Sequence, residues 1–316
     1  MKSFAFVFPG QGSQSVGMLD AWGEHPVVRE TLREASDALG EDLAQLIKDG
    51  PKEALGLTTN TQPVMLVAGV AAYRAWLADT GAVPAVVAGH SLGEYSALVA
   101  SGVLSLAQAA PLVRFRAQAM QDAVPVGVGA MAAILGMEAS RVIEGCAEAL
   151  RTFGANTLEV VEAVNFNDPM QTVIAGSKAA VEKACEVLKA NGAKRALSLP
   201  VSAPFHSSLM KPAADKLKEK LASLSFAAPT IPVINNIDVA VETDAEKIRA
   251  ALYRQAFGPV RWVECVLAIK ARGLTTIVEC GPGKVLAGMV KRIDAELTGA
   301  ALFDPDSLAQ AKELLA

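Results

Sequence analysis

The chain has 316 residues, of which 52% are hydrophobic and 20% charged, and its net charge is −4. This apolar content excludes a disordered chain, and the acidic balance gives no electrostatic basis for binding nucleic acid. No segment reaches the roughly 18 uninterrupted apolar residues of a membrane span, and the N-terminal apolar run is too short for a signal peptide. Four widely spaced cysteines predict neither disulfides nor a zinc site. We therefore expect a cytoplasmic protein that contacts no membrane.

The first 125 residues alternate between apolar strands and helices. A buried strand at 4–8 ends at Pro9-Gly10, and a second at 85–88 runs into Gly89-His90-Ser91-Leu92-Gly93. The helical patterns of this part lie at about 26–39, 61–79, 93–101 and 106–122. Strands that alternate with helices in this way are typical of an α/β fold with a parallel sheet.

The next segment has a different order of elements. Its predicted elements are strand 130–135, helix 138–151, strands 158–164 and 172–175, helix 178–191 and strand 195–200. This β-α-β-β-α-β order is that of a ferredoxin-like unit, after which the alternation resumes. The predicted fold class is therefore α/β: a large α/β-hydrolase-like domain with a parallel sheet (1–125 and 206–316) and an inserted ferredoxin-like α+β subdomain (126–205). Their junction predicts a cleft.

The motif Gly89-His90-Ser91-Leu92-Gly93 lies between a predicted strand and a predicted helix. At such a turn a serine is held in a strained conformation, and the residues two before and two after it have no room for a Cβ. The helix N-terminus behind it supplies free N–H groups for developing negative charge. A glycine-rich turn with an incidental serine is the alternative, but this context favours Ser91 as a nucleophile.

A serine nucleophile needs a base, and the chain has three histidines. His25 lies in a polar stretch and is expected at the surface. His90 adjoins the nucleophile, where neighbouring side chains point apart, so we expect it to line the pocket. His206 lies where the inserted segment rejoins the large domain, and it is the predicted base. No acid that would orient its imidazole is evident, and a carbonyl could do so instead.

Arg114 and Arg116 lie on the predicted helix 106–122. They point about 200° apart around the helix, so only one of them can face a cleft. An arginine buried there would bind a carboxylate through two parallel hydrogen bonds. The spacing leaves open which of the two does so.

The loop Pro9-Gly10-Gln11-Gly12-Ser13-Gln14 follows the first strand. The carboxyl end of a parallel strand is where α/β folds place ligand contacts. The loop lacks both the G-x-G-x-x-G pattern and the lysine of a phosphate-binding loop, so it does not indicate nucleotide binding. We expect no resident cofactor and no metal.

Together these motifs resemble the malonyl-CoA:acyl-carrier-protein transacylases of type II fatty acid synthesis. The blocks that match in order are Phe6-Val7-Phe8-Pro9-Gly10-Gln11-Gly12-Ser13-Gln14, Gly89-His90-Ser91-Leu92-Gly93-Glu94-Tyr95-Ser96-Ala97, Val164-Asn165-Phe166-Asn167, Pro200-Val201-Ser202 leading to His206, and Val278-Glu279-Cys280-Gly281-Pro282-Gly283. Each block is weak alone, whereas the ordered set covers essentially the whole chain and is specific.

The resemblance implies acyl transfer by a ping-pong mechanism. Ser91 attacks the malonyl thioester with His206 as general base, which gives a malonyl-serine enzyme and releases coenzyme A. The phosphopantetheine thiol of acyl carrier protein then takes the malonyl group. The implied partners are therefore a coenzyme A thioester and a transiently bound acyl carrier protein, and the enzyme is expected to be a monomer.

The resemblance also implies roles for further residues. These are the oxyanion-hole donors Gln11 and Leu92 and the substrate-site residues Arg116, Gln255, His90 and Asn165. Arg116 would clamp the malonyl carboxylate, and the backbone carbonyl of Gln255 would orient His206. Two departures bear on the clamp: Ala117 replaces a glycine common in the family, and Pro111 should kink the helix.

Three other functions share parts of this pattern. An α/β-hydrolase-type serine hydrolase or thioesterase has the same motif but needs an acid between its serine and histidine. A discrete acyltransferase of a polyketide assembly line would have the same fold and residues and differ in its carrier protein. A carrier-protein-binding module without chemistry would not need Ser91 and His206. The basic residues that could dock an acidic carrier protein are Lys194, Arg195, Lys284, Lys291 and Arg292.

Overall fold

A computed structural model describes residues 1–201 and 203–316; Ser202, which belongs to one matched block, lies outside the described residues. The strands are β1 (Ala5–Phe8), β2 (Val86–Gly89), β3 (Gly129–Leu135), β4 (Val161–Asp168), β5 (Gln171–Ser177), β6 (Arg195–Ser198), β7 (Val233–Ile234), β8 (Thr276–Cys280) and β9 (Thr298–Leu302). The helices are α1 (Pro26–Leu39), α2 (Leu43–Asp49), α3 (Lys52–Gly56), α4 (Thr58–Thr80), α5 (Gly93–Ala100), α6 (Leu106–Asp122), α7 (Ala139–Arg151), α8 (Lys178–Ala190), α9 (Lys211–Ala222), α10 (Ala245–Gln255), α11 (Trp262–Ala271), α12 (Val285–Ile293) and α13 (Pro305–Leu315). In the described part of the chain, none of these helices has both the length and the apolarity that crossing a bilayer requires.

The larger sheet is parallel throughout, with the strand order β7-β2-β1-β8-β9. Side chains of the central strand β1 alternate between two apolar clusters, as the pleat requires. Phe6 and Phe8 pack in the cluster that contains α4, whereas Ala5 and Val7 pack against α11 and α12. Helices on both faces make this an α/β sheet whose strands are buried on both sides.

The smaller sheet has the order β4-β5-β3-β6, and all its neighbours are antiparallel. Helices α7 and α8 cover one face, where Ile134 packs near Leu188. The opposite face carries Met131 into the main core cluster. The predicted fold class, a parallel α/β sheet with a separate antiparallel α+β unit, is confirmed, whereas the boundaries drawn at 126 and 205 stay a prediction.

One strand of the smaller sheet differs from its prediction. A strand was expected at 158–164, whereas β4 covers Val161–Asp168 and Leu158 is 95% exposed. The register with β5 shifts between Ala163 and Asn165 and again between Phe166 and Asp168. Such bulges interrupt the alternation on which sequence reasoning depends. The predicted strand therefore ended at residue 164 and missed the polar second half of β4, residues 165–168.

Edge strand β4 is hydrogen-bonded to Val260, just before α11, and to helix α12, and both of these segments pack against the larger sheet. The Val260 N–H donates to the Val164 carbonyl at 2.8 Å, and the Phe166 N–H donates to the Val260 carbonyl at 3.0 Å. At the end of the strand, Arg292 Nε donates to Asp168 Oδ2 at 2.9 Å. These contacts fix the smaller sheet beside the carboxyl ends of β1 and β2, which leaves a cleft between the two sheets.

Candidate active site

The turn after β2 holds Ser91 at the edge of this cleft. Ser91 has a φ of 53°, in the left-handed region. A Cβ on Gly89 would lie 1.9 Å from the Gly93 backbone, and one on Gly93 would lie 2.1 Å from the Phe8 carbonyl oxygen. Both motif glycines are therefore required by close backbone approach. Asn236 fastens the turn, because its Oδ1 accepts from the Ser91 N–H at 2.7 Å and its Nδ2 donates to the Gly89 carbonyl at 2.7 Å.

His206 lies directly opposite this serine. The distance from Ser91 Oγ to His206 Nε2 is 2.7 Å, and that from His206 Nδ1 to the Gln255 carbonyl oxygen is 2.8 Å. A carbonyl can only accept, so Nδ1 carries the proton and Nε2 is free to accept from the hydroxyl. A main-chain carbonyl thus occupies the place that an acid has in other serine enzymes.

Burial, and then the positive charge of Arg116, lower the pKa of His206 to about 3. The imidazole is only 4% exposed. It is therefore neutral at neutral pH, which is the form that accepts a proton.

Helix α6 turns Arg116 toward the serine and Arg114 away from it. Arg116 Nη2 donates to Ser91 Oγ at 3.2 Å, whereas Arg114 donates to the Thr59 carbonyl and forms an ion pair with Glu41. The helix begins with a capping box at Ser105 and continues through Pro111. The question that the spacing left open is thus answered by the geometry, since only Arg116 faces the cleft.

The Arg116 guanidinium is 2% exposed and has neutral hydrogen-bond partners. Its Nη1 donates to Gln62 Oε1 at 2.7 Å and its Nη2 to Gln255 Oε1 at 3.1 Å, while the Tyr95 ring lies 5.4 Å away. Its Nε has no hydrogen-bond partner among the described residues. Because none of these direct partners is an anion, the guanidinium can still pair with a carboxylate that a substrate brings.

Leu92 and Gln11, the two residues expected to supply oxyanion donors, lie at the turn around Ser91 and in the cavity that Ser91 lines. Leu92 directly precedes helix α5, and Gln11 lies on the loop after β1, where its side chain accepts from Thr58 Oγ1 at 2.6 Å. That loop approaches the nucleophile turn closely, because a Cβ on Gly10 would lie 2.7 Å from the His90 carbonyl oxygen. Neither N–H donates a hydrogen bond within the part of the chain that the structure describes. Both are available to an oxyanion.

Two connected cavities occupy the cleft. The inner one, of about 120 Å³, is lined by Gln11, Gln62, His90, Ser91, Arg116, Met120, Met131, Asn165, Leu199, Val201, Phe205 and His206. The outer one, of about 290 Å³, shares Gln11, His90, Asn165 and Leu199 with it and extends to α12. Ser91 therefore lines one of two adjoining cavities between the two sheets.

His90 and Asn165 line both cavities. His90 Nε2 lies 2.8 Å from Asn167 Oδ1, and its ring contacts Trp262, so it points away from the serine as expected. Burial lowers the pKa of His90, which keeps it neutral. Asn165 Oδ1 is buried and has no partner within residues 1–201 and 203–316. It is a free acceptor where the cavities meet.

His25 lies outside the site, and three residues of the site were not predicted from the sequence. His25 was expected to be solvated, but it contacts Trp22 and lies 3.5 Å from Asp79. Among the described residues, no group of His, Cys, Asp or Glu is arranged to hold a metal ion. The site residues that were missed are Gln62, Asn236 and Glu94. Of these three, only Gln62 could have been found from the sequence, because it is a polar residue within the apolar pattern of helix α4.

These features define an acyl-transfer site, and the chain belongs to the acyltransferase family. The model of the family's acyl transferase domain matches residues 5–300. This match covers both sheets except the last two residues of β9, and it includes every site residue described above. The resemblance seen in the sequence motifs is thereby confirmed at the level of the family.

Individual relatives give a finer comparison. The chain is 54% identical over 315 residues to the malonyl CoA-acyl carrier protein transacylase of Escherichia coli (strain K12), covering 99% of this chain and 100% of that protein. It is also similar to the solved acyl-carrier-protein S-malonyltransferase from Burkholderia pseudomallei 1710b, with a TM-score of 0.95, 65% identity, and coverage of 99% and 100%. A second similar structure is a type II PKS acyl-carrier protein in complex with its malonyl-transacylase, with a TM-score of 0.95, 50% identity, and coverage of 99% and 100%.

Proposed function

We propose that this protein transfers the malonyl group of malonyl-CoA to the phosphopantetheine thiol of an acyl carrier protein, supplying fatty acid synthesis. One observation carries the proposal: a buried guanidinium lies beside an activated serine. Arg116 Nη2 is 3.2 Å from Ser91 Oγ, which is 2.7 Å from His206 Nε2. A malonyl thioester has its carboxylate one methylene from the carbonyl to be attacked, so a single acyl group can engage both residues.

In the first half of the reaction Ser91 becomes acylated. His206 Nε2 takes the hydroxyl proton while Oγ bonds to the thioester carbon. The N–H groups of Gln11 and Leu92 stabilise the resulting oxyanion, and each such donor is worth about 3–4 kcal/mol in other acyl-transfer enzymes. The carbon–sulfur bond then breaks, and the coenzyme A thiolate leaves with the proton held by His206.

In the second half the thiol of the carrier protein's phosphopantetheine enters the same cleft. His206 takes the thiol proton, and the sulfur attacks the malonyl-serine ester. Collapse of the second tetrahedral intermediate returns the proton from His206 to Ser91 Oγ and releases malonyl-acyl carrier protein. A carbonyl suffices to orient His206 in both halves. Nδ1 keeps its proton, and so its hydrogen bond to the Gln255 carbonyl, whether the imidazole is neutral or protonated at Nε2.

The clamp supplies acyl selectivity and protects the intermediate. Arg116 binds the malonyl carboxylate through paired hydrogen bonds, which fixes the ester's pose between the attacking groups. Around it, Met120, Met131 and Phe205 form an apolar wall. We assign Asn165 Oδ1 to the thioester-bearing arm, because it is an unpaired acceptor where the inner and outer cavities meet.

The remaining assignments belong to the same proposal. The reaction needs no resident cofactor, since both substrates bring their own reactive groups. We propose a cytoplasmic monomer that binds the carrier protein transiently, with residues 126–205 as the inserted subdomain. Among the basic residues considered for docking, Lys194 and Arg195 are exposed on the smaller sheet's side.

A polyketide carrier protein is the second candidate partner, because a malonyl-transacylase 50% identical to this chain has been solved with a type II PKS acyl-carrier protein. The chemistry would be unchanged. A serine hydrolase is disfavoured, because a carbonyl rather than an acid orients His206 and because the clamp serves no purpose for a neutral ester.

The test is transfer between defined partners. The purified protein is incubated with malonyl-CoA and either a fatty-acid-type or a polyketide-type holo-acyl carrier protein, and malonyl-carrier protein is measured by mass. We expect transfer to the fatty-acid-type carrier with the higher kcat/KM. Hydrolysis of malonyl-CoA without transfer to either carrier would contradict the proposal.

A further inference from the structure

Glu94 is a buried carboxylate for which the mechanism above has no role. It lies in the first turn of α5 and is 2% exposed. Its Oε2 accepts from the Asn236 N–H at 2.9 Å and from Gln255 Nε2 at 3.0 Å. Burial raises the pKa of Glu94 to about 7, although the Asn236 and Gln255 hydrogen bonds and the Arg116 charge act in the opposite direction. The carboxylate is therefore ionised above about pH 7.

The Gln255 side chain connects this carboxylate to the clamp. Its Oε1 accepts from Arg116 Nη2 at 3.1 Å, and its Nε2 donates to Glu94 and, at 3.0 Å, to the Ser91 carbonyl. A guanidinium only donates, so the amide must present its oxygen to Arg116. The ionised Glu94 carboxylate and the Ser91 carbonyl can only accept, so together they hold the amide in that orientation.

The amide also separates the two charges. A carboxylate in direct contact with Arg116 would pair with it and occupy the nitrogens that a substrate needs. Here the nearest contacts of the guanidinium are the neutral groups of Gln62, Gln255 and Ser91. Glu94 lies one side chain further away, so it provides a counter-charge and leaves the guanidinium open.

We propose that Glu94 is a positioning residue for the carboxylate clamp: through the Gln255 amide it holds Arg116 in place and balances its charge without pairing with it. The inference rests on the proposed malonyl transfer. The amide of Gln255 can turn without moving the main-chain carbonyl that holds His206. The loss of Glu94 therefore weakens recognition of the acyl carboxylate more than it weakens the dyad.

The test compares two acyl donors in the Glu94→Gln variant. The variant keeps the side-chain volume and an acceptor for Asn236, but it loses the charge that fixes the Gln255 amide. We expect kcat/KM for malonyl-CoA to fall about 10-fold, chiefly through KM, since a charge-assisted hydrogen bond becomes a neutral one. With acetyl-CoA, which has no carboxylate, kcat/KM should change by less than about threefold.

Glu279→Gln is the matched control. Glu279 is likewise a fully buried carboxylate whose pKa is raised to about 7 by burial, but its Oε2 accepts from the Ala287 N–H at the start of α12, away from Arg116. Its replacement should leave the malonyl-to-acetyl ratio of kcat/KM unchanged. A change of that ratio equal to the one in Glu94→Gln would overturn the inference.

The remaining outcomes are equally decisive. An equal loss on both donors in Glu94→Gln would mean a structural role only, and an unchanged malonyl kcat/KM would mean no role. If that variant does not fold, Glu94→Asp replaces it, because the shorter side chain keeps the charge but moves it away from the Gln255 amide. The same selective loss with malonyl-CoA is expected. A malonyl-to-acetyl ratio of kcat/KM equal to that of the parent protein would refute the inference. A parent protein that forms no malonyl adduct would instead overturn the proposed function and this inference together.

Discussion

Replacing Arg116 by alanine separates acyl selectivity from acyl transfer. The substitution removes the buried guanidinium 3.2 Å from Ser91 Oγ and leaves the contact between Ser91 and His206 in place. It also removes the charge that helps to lower the pKa of His206. Ser91 and His206 remain, and the main expected loss is the partner for a substrate carboxylate.

The burial of Arg116 sets the size of the effect. At 2% exposure, its pairing with a carboxylate takes place out of water, and losing one partner of such a pair is worth about 2–5 kcal/mol. The kcat/KM for malonyl-CoA should then fall roughly 30-fold to several thousand-fold. Acetyl-CoA has no carboxylate, so its kcat/KM should fall only through the loss of the hydrogen bond from Arg116 Nη2 to Ser91 Oγ. That loss is worth about 1 kcal/mol, or roughly fivefold.

The assay is steady-state transfer from malonyl-CoA and acetyl-CoA to one carrier protein. Arg114→Ala is the matched control, because it removes an arginine two residues earlier on α6 whose contacts are Thr59, Asn60 and Glu41. That variant should keep the parent selectivity. Unchanged malonyl selectivity in Arg116→Ala, with a folded protein, would refute the assigned clamp.

Two further predictions concern the dyad and the cleft. Because burial holds the pKa of His206 near 3, the base stays neutral as pH falls, so kcat/KM for acetyl-CoA should show no acid-side fall centred near 6.5 between pH 8 and 5; such a fall would contradict the assigned state of the base. Asn167→Ala removes the partner of His90 Nε2 and should lower the free energy of unfolding in urea by about 1–3 kcal/mol. An unchanged midpoint would show that this contact does not stabilise the joined sheets.

Local patterns in the sequence predicted the serine and the histidine that the structure brings within 2.7 Å of each other. The tight turn around Ser91 requires Gly89 and Gly93, which lie within one five-residue motif, so the motif alone predicted the turn. His206 followed from there being few histidines and from its place where the inserted segment returns. The layered fold likewise followed from the alternation of strands and helices.

The groups that hold the reacting residues could not be predicted in this way. Asn236, Gln62 and Glu94 come from β7's end, α4 and α5, and they meet only because the parallel sheet aligns these elements at one edge. Helical geometry alone could not choose between Arg114 and Arg116, because the choice depends on which face of α6 packs toward the core. The β4 boundary failed for a related reason, since its bulges depend on pairing with β5.

Peptide mapping of the acyl-enzyme by mass spectrometry tests the central assignment most directly. After brief exposure to malonyl-CoA without a carrier protein, the peptide that contains Ser91 should carry one malonyl group. Ser91→Ala should carry none, and adding holo-acyl carrier protein should remove the group from the parent. A stable adduct on another residue, or turnover with no adduct under rapid quenching, would contradict the account.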